Sequence, residues 1–176
     1  TLEAYRLMAE LVDYPFHIGI TEAGIGDAAV IRSAVGIGAL LAQGLGDTLR
    51  VSLTGDPVRE VEVGKEILKS LGMLAEGVTL VSCPTCGRCR IDLEKVAREV
   101  KARTASIDAP IKVAVMGCAV NGPGEARDAD IGIAGGPGGG VLFKKGEIVK
   151  KVREEELVDA VVQAVSEMAS QQSADS

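Results

Sequence analysis

Aromatic side chains are scarce: 2% of the 176 residues, with no Trp, two Tyr and two Phe. A core made from this chain must therefore be Val, Ile, Leu and Ala, and an apolar content of 47% is enough to fill one. The same scarcity removes the stacking platforms that single-stranded nucleic acids use. A net charge of −6, with basic residues scattered, argues against nucleic acid as a main partner. No apolar run approaches the ~20 residues of a membrane-spanning helix, so no span is expected. The opening residues, Thr1 to Arg6, resemble neither a signal nor a transit peptide. There is one His, His17, remote in sequence from every cysteine. The missing initiator Met, a helical pattern already under way at Leu2, and the sparse His and aromatic content read as a fragment of a longer enzyme.

What is present is concentrated. All four cysteines lie in two stretches, Ser82-Cys83-Pro84-Thr85-Cys86-Gly87-Arg88-Cys89-Arg90 and Gly117-Cys118-Ala119-Val120-Asn121-Gly122-Pro123-Gly124-Glu125. Clustered thiols without an export signal suit metal binding in a reducing compartment better than disulfides. Cys83 and Cys86 are spaced so that one loop can aim both sulfurs at a point. Pro84 stiffens the backbone between them, and Gly87 lets it bend away. Cys118 follows the apolar run Ile111–Met116, a buried strand, and so sits where a strand enters a glycine-rich loop, a usual place for a functional ligand.

In chain order, Leu2–Leu11 has a helical apolar period. Phe16–Ile20 reads as a strand with Thr21–Gly24 as its loop. A helix follows from about Asp27, its plausible cap, and Gly44 and Gly46 end it. Thr48–Leu53 reads as a strand, and Asp56-Pro57 opens a helix that runs to about Leu71. This is βα-unit grammar, which builds parallel sheets or barrels. Two such units do not close a (β/α)8 barrel.

A boundary near Leu74–Gly77 then separates residues 1–75 from residues 76–176, a small α+β domain. In that part, Val78–Ser82 leads into the cysteine loop, and Asp92 caps a helix to about Arg103. Ile111–Met116 and Ile131–Ala134 are strands, and Gly135–Gly140 reads as a mobile glycine-rich connection. It is not a phosphate loop, because no Lys-Ser/Thr follows it. Val141–Phe143 and Ile148–Lys151 form a hairpin. An amphipathic helix runs from Glu154 to about Ala169, with a frayed tail.

Thiolates at these spacings suit zinc or an iron–sulfur cluster, and spacing alone does not decide. A zinc ribbon needs a second Cys-x-x-Cys pair, yet Cys118 has no such partner. A ferredoxin-type run needs a further Cys soon after Cys89, followed by Pro, and Arg90-Ile91-Asp92-Leu93 stands there instead. Glu125 is a candidate fourth ligand at the end of a loop able to fold back; its alternative is a solvated loop residue. Cys89 is either a ligand in place of Glu125, a bystander thiol, or a buried inert side chain. His17 reads as a packing or supporting residue rather than a ligand.

These residues closely resemble the 4-hydroxy-3-methylbut-2-enyl diphosphate synthases of the methylerythritol phosphate route to isoprenoids. The likeness rests on Cys83–Arg88 and Gly117–Glu125. It continues through His17–Gly24 and Gly46–Leu53, over nearly the whole chain. The resemblance implies the last βα units of a (β/α)8 barrel followed by a small domain like those of sulfite and nitrite reductases. It implies a [4Fe-4S] cluster on Cys83, Cys86, Cys118 and Glu125, with Cys89 departing from the pattern. The implied reaction is the two-electron reductive opening and dehydroxylation of 2-C-methyl-D-erythritol 2,4-cyclodiphosphate, with ferredoxin or flavodoxin as donor.

By the same resemblance Glu22 does acid–base work; Thr21, Arg50 and Ser52 also fall at strand ends and are candidate substrate-binding residues, and Asn121 either binds a substrate oxygen or orients the cluster loop. Arg50 suits a diphosphate because its guanidinium makes forked bonds. The bland readings are a helix-entry carboxylate for Glu22, a surface ion pair for Arg50 and turn formation for Asn121. The implied assembly is a homodimer in which one subunit's barrel closes over the other's cluster. The implied location is the bacterial cytoplasm, or the plastid stroma in a plant or alga. Two rivals remain: a ferredoxin-like electron carrier without substrate chemistry, and a zinc-binding structural module.

Overall fold

The computed structural model describes residues 1–119, 124 and 126–174. The chain divides into two compact units, Thr1–Ala75 and Glu76–Ser176.

The first unit runs α1 (Leu2–Leu11), β1 (His17–Gly19), α2 (Gly26–Leu41), β2 (Thr48–Arg50) and α3 (Pro57–Ser70). β1 and β2 pair in parallel, Ile18 opposite Leu49 and Gly19 opposite Arg50. Ile18, Ile37, Leu40, Leu41, Val51, Val63 and Ile67 form its buried core. Tyr5 closes one end, edge-on to Phe16 at 6.1 Å, with its hydroxyl donating to the His17 carbonyl at 2.9 Å.

Helix starts follow their caps. The Asp56 carboxylate accepts from the Val58 N–H at 3.0 Å, ahead of Pro57 in the first turn. Asp56→Ala is expected to cost about 1 kcal/mol in denaturant unfolding. The expected cap at Asp27 does not form: Ile25 holds the cap position with extended backbone, and Asp27 lies within the first turn. Its carboxylate there still complements the helix dipole. Gly44, at φ 75°, ends α2 as expected: its N–H reaches the Leu41 carbonyl and that of Leu45 reaches Leu40. β2 stops at Arg50, so Ser52 and Leu53 belong to the following loop rather than the strand.

The second unit runs β3 (Val78–Ser82), α4 (Leu93–Thr104), β4 (Ile111–Met116), β5 (Ile131–Gly136), β6 (Gly139–Lys144) and β7 (Glu147–Val152). A 3-10 turn at Glu154–Glu156 then leads into α5 (Leu157–Ala174). Its five strands lie in chain order, β3-β4-β5 parallel and β5-β6-β7 antiparallel. Leu93 and Val100 of α4 and Leu157, Val161 and Val165 of α5 are buried with Val113, Val115 and Ile133 of the sheet. Fully burying one such side chain stabilises by about 1.5–3 kcal/mol. Asp92 caps α4 through the Lys95 N–H at 3.1 Å, as its sequence suggests. Arg103 of α4 reaches Asp159 of α5 at 2.6 Å.

Two expectations fail in this unit. Gly135–Gly140 is not a mobile connection: Gly135 and Gly136 end β5, Gly139 and Gly140 begin β6, and only Pro137-Gly138 turns. Gly138 has φ 70°, which the tight reversal requires. The glycines are there for closeness. A side-chain carbon on Gly135 would stand 2.8 Å from Ile91 and 3.0 Å from the Gly117 carbonyl. The C-terminal helix also does not fray after Ala169 but continues to Ala174.

Candidate functional site

The parallel pairing of β3 and β4 decides where the thiols fall. Ser82 ends β3 opposite Val115. Both strands therefore run out at the same end of the sheet, about 4.8 Å apart. Cys83 is the first residue beyond β3, and Cys118 follows β4 after one residue, Gly117. The two loops are stitched together by backbone. The Gly117 N–H donates to the Cys83 sulfur at 3.2 Å, and the Arg90 N–H donates to the Gly117 carbonyl at 2.9 Å. A side-chain carbon on Gly117 would stand 2.6 Å from the Cys89 sulfur, so only glycine fits between these loops without displacing one of them.

All four cysteines are free thiols; Cys86 is exposed, and Cys83, Cys89 and Cys118 are half-buried. The donor set is soft and suits iron–sulfur or zinc. Among the described residues no group of three or more Cys, His, Asp or Glu converges to metal-holding distance. Glu125 and Asn121, the expected fourth ligand and its neighbour, lie outside the described residues.

Cys89 occupies a place that spacing left open. Its thiol donates to the Ile91 carbonyl at 3.2 Å, half-buried behind the turn that carries Cys86. Cys86-Gly87-Arg88-Cys89 is itself a Cys-x-x-Cys, a signal that reading Cys83 and Cys86 as the pair obscured.

In the first unit the strand-end loops also meet. The Thr54 N–H donates to the Gly24 carbonyl at 3.0 Å, joining the loop after β1 to the loop after β2. The Ala23 carbonyl accepts from Arg32 at 2.8 Å, and the Leu53 N–H donates to Glu60 at 2.8 Å. Thr21, Glu22, Arg50 and Ser52 thus stand at one end of the two-stranded sheet. Thr21, Glu22 and Arg50 are exposed and Ser52 is half-buried. Arg50 lies across Gly19, where a side-chain carbon would stand 3.4 Å from its Nε.

Glu22 has φ 57°, in the left-handed region. For a non-glycine residue that is a strained conformation, held there by the bonded loop. A cleft of ≈ 220 Å³ opens nearby, lined by Asp27, Leu53, Thr54, Asp56 and Arg59 among others. None of Thr21, Glu22, Arg50 or Ser52 lines it. Arg59 is already paired with Glu62 at 2.8 Å, and two carboxylates share the wall, so this cleft is a poor anion site.

His17 does not pack inside. It is exposed, and its Nδ1 is hydrogen-bonded to the Thr48 hydroxyl at 2.8 Å, at the end of the strand pair opposite Glu22.

Comparison with known proteins agrees with this two-part layout. The GcpE TIM-barrel domain model matches residues 1–65, and the GcpE protein C-terminal domain model matches residues 79–167. A protein of Geobacter sulfurreducens named 4-hydroxy-3-methylbut-2-en-1-yl diphosphate synthase (flavodoxin) is 63% identical over 168 residues, which are 96% of this chain and 48% of the relative. Proteins of the same name from Caldanaerobacter subterraneus and Clostridium perfringens are 60% and 59% identical, over 96% and 93% of this chain and 47% of each relative. The chain spans about half the length of the curated relatives it matches. With a barrel-domain match on its first unit and a C-terminal-domain match on its second, the chain belongs to the GcpE family.

Proposed function

We propose that this chain is the cluster-bearing part of a [4Fe-4S] oxidoreductase that opens and dehydroxylates 2-C-methyl-D-erythritol 2,4-cyclodiphosphate to 4-hydroxy-3-methylbut-2-enyl diphosphate. The observation that carries this reading is the placement of Cys83 and Cys118 at the carboxyl ends of adjacent parallel strands, with the Gly117 N–H on the Cys83 sulfur. The name that the relatives carry supports it. Residues 1–75 contribute barrel units and residues 76–176 a cluster domain of the sulfite-reductase type. Cys83, Cys86 and Cys118 hold the cluster, and Glu125 supplies the fourth ligand. The chemistry that a bound cluster supplies is one-electron delivery together with Lewis-acid binding of an oxygen.

The rest falls to the chain's own side chains. Arg50 presents parallel N–H donors to the diphosphate, and the hydroxyls of Thr21 and Ser52 donate to its oxygens. Asn121 binds a substrate oxygen. Glu22 holds or gives a proton at its carboxylate, at the strand end where such groups act. The electron donor is flavodoxin, as in the relatives' name, or ferredoxin, and the working assembly is a homodimer. The location is the bacterial cytoplasm, or the plastid stroma of a plant or alga.

The deciding test is iron and sulfide content with a visible spectrum after anaerobic reconstitution. About four of each per chain with broad charge-transfer absorption is expected. One zinc without sulfide would overturn the reading in favour of a structural module. Iron and sulfide without turnover, even with the rest of the barrel supplied, would favour an electron carrier.

Glu22 offers a second check. Glu22→Gly relieves left-handed strain and is expected to raise stability by about 0.5–1 kcal/mol. The same change is expected to lower turnover of the complete enzyme about 100-fold or more. Paired measurements of unfolding and turnover would show stability and activity moving in opposite directions.

A further inference from the structure

We infer that Cys86 and Cys89 form a reversible disulfide in the metal-free protein, with Cys89 as the resolving thiol for Cys86. The inference needs only these two thiols and the turn that joins them. Its consequence for metal uptake rests on the reading of Cys86 as a cluster ligand.

The turn makes the pairing local. The Cys89 N–H donates to the Cys86 carbonyl at 2.9 Å, closing Cys86-Gly87-Arg88-Cys89 into a four-residue turn. Such a turn brings its end Cα atoms within about 7 Å. A disulfide spans Cα separations of about 4.4–6.8 Å. Gly87 and Arg88 are exposed, and a side-chain carbon on Gly87 would meet nothing within 4 Å, so the turn has room to adjust.

The base of the turn is fixed. Arg90 is bonded to the Gly117 carbonyl, and the Cys89 thiol is held by the Ile91 carbonyl. Cys86 is the exposed partner and Cys89 the sheltered one, the usual division between an attacked and a resolving thiol. The other pairings are less favoured. Cys83 accepts the Gly117 N–H from the far loop, and Pro84 stiffens the link between Cys83 and Cys86.

The oxidant is a small-molecule disulfide such as oxidised glutathione. The Cys86 sulfur attacks one of its sulfurs, forming a mixed disulfide and releasing one small thiol, which takes the Cys86 proton. The Cys89 sulfur then attacks the Cys86 sulfur and releases the second small thiol with the Cys89 proton. Two protein thiols are oxidised by one electron each, and one small disulfide is reduced to two thiols. The product keeps Cys86 from the slower, irreversible oxidation steps. It also withholds Cys86 from metal until a thiol reductant returns it.

The test treats metal-free protein with oxidised glutathione, alkylates the remaining thiols and maps peptides by mass. The wild type is expected to lose two of its four thiols, retain no glutathione and yield a linked Cys86–Cys89 peptide. Cys89→Ser is expected to retain one glutathione on Cys86, and Cys86→Ser to form no internal disulfide. A wild type that keeps glutathione on Cys86, or links it to Cys83 or Cys118, would overturn the inference. Iron and sulfide uptake by the oxidised form should be lost and then regained with dithiothreitol. If the disulfide forms but uptake is unimpaired, the disulfide stands and Cys86 leaves the ligand set.

Discussion

Serine in place of Cys83 is expected to abolish the visible charge-transfer bands of the reconstituted protein and to lower iron retention at least about 100-fold. The magnitude follows from what lesser changes do. Removing a group that merely orients a ligand costs about 10–100-fold in metal affinity, and Cys83 is proposed as the ligand itself. It also receives the Gly117 N–H at 3.2 Å, so a harder oxygen at this position loses both the soft donor and an N–H···S contact. Cys118→Ser should behave in the same way. Cys89→Ser is the internal control: its thiol already donates to the Ile91 carbonyl, and the variant should keep its iron when reconstituted in excess reductant. Equal iron loss in Cys83→Ser and Cys89→Ser would place Cys89 among the ligands.

Gly132→Ala is expected to destabilise the five-stranded sheet through a single added carbon. The new carbon would stand 2.5 Å from the Phe143 ring, 2.7 Å from the Ala114 carbonyl and 2.9 Å from the Ala114 side chain. Phe143, Ala114 and Ala134 are fully buried, so none of them can yield into solvent. Overpacking of this kind costs about 1–3 kcal/mol. For a chain of this size that lowers the melting temperature by about 3–10 °C. Thermal unfolding measures the shift. Amide exchange should place the loss of protection in β4, β5 and β6, and unchanged exchange there would refute the mechanism.

The same glycines explain what sequence reading could and could not reach. Helix starts at Asp56 and Asp92 are legible because a carboxylate before the helix has one strong local use. β3 and β4 are legible because their apolar runs are short and bounded. Gly135–Gly140 is misleading because glycine marks both turns and crowded strands, and the difference lies in neighbours far along the chain. Ile91 and Gly117 stand against Gly135, and Leu157 stands against Gly140. Asp27 misleads for a related reason: a cap needs a particular backbone angle at one residue, and Ile25 has it.

At the candidate site, Cys83 and Cys118 could be placed at strand ends from the sequence alone. Their adjacency could not, because it depends on the parallel pairing of β3 with β4. The left-handed backbone of Glu22 has no signature in its residue type. The Cys86–Cys89 turn was in plain sight as a spacing, yet the hydrogen bond that closes it is a fact of structure.

That parallel pairing also sets an order of events as the chain folds. Val78 meets Ile111 only after α4 and its connections have looped back. Closing a segment of some thirty residues costs about 3 kcal/mol of chain entropy before any contact repays it. In an unfolded chain Cys83, Cys86 and Cys89 are close through sequence alone, whereas the loop that carries Cys118 comes beside Cys83 only when β3 pairs with β4. On the proposed ligand set, a metal bound before the ladder zips would hold Cys89 in place of Cys118, so the sheet is expected to form first.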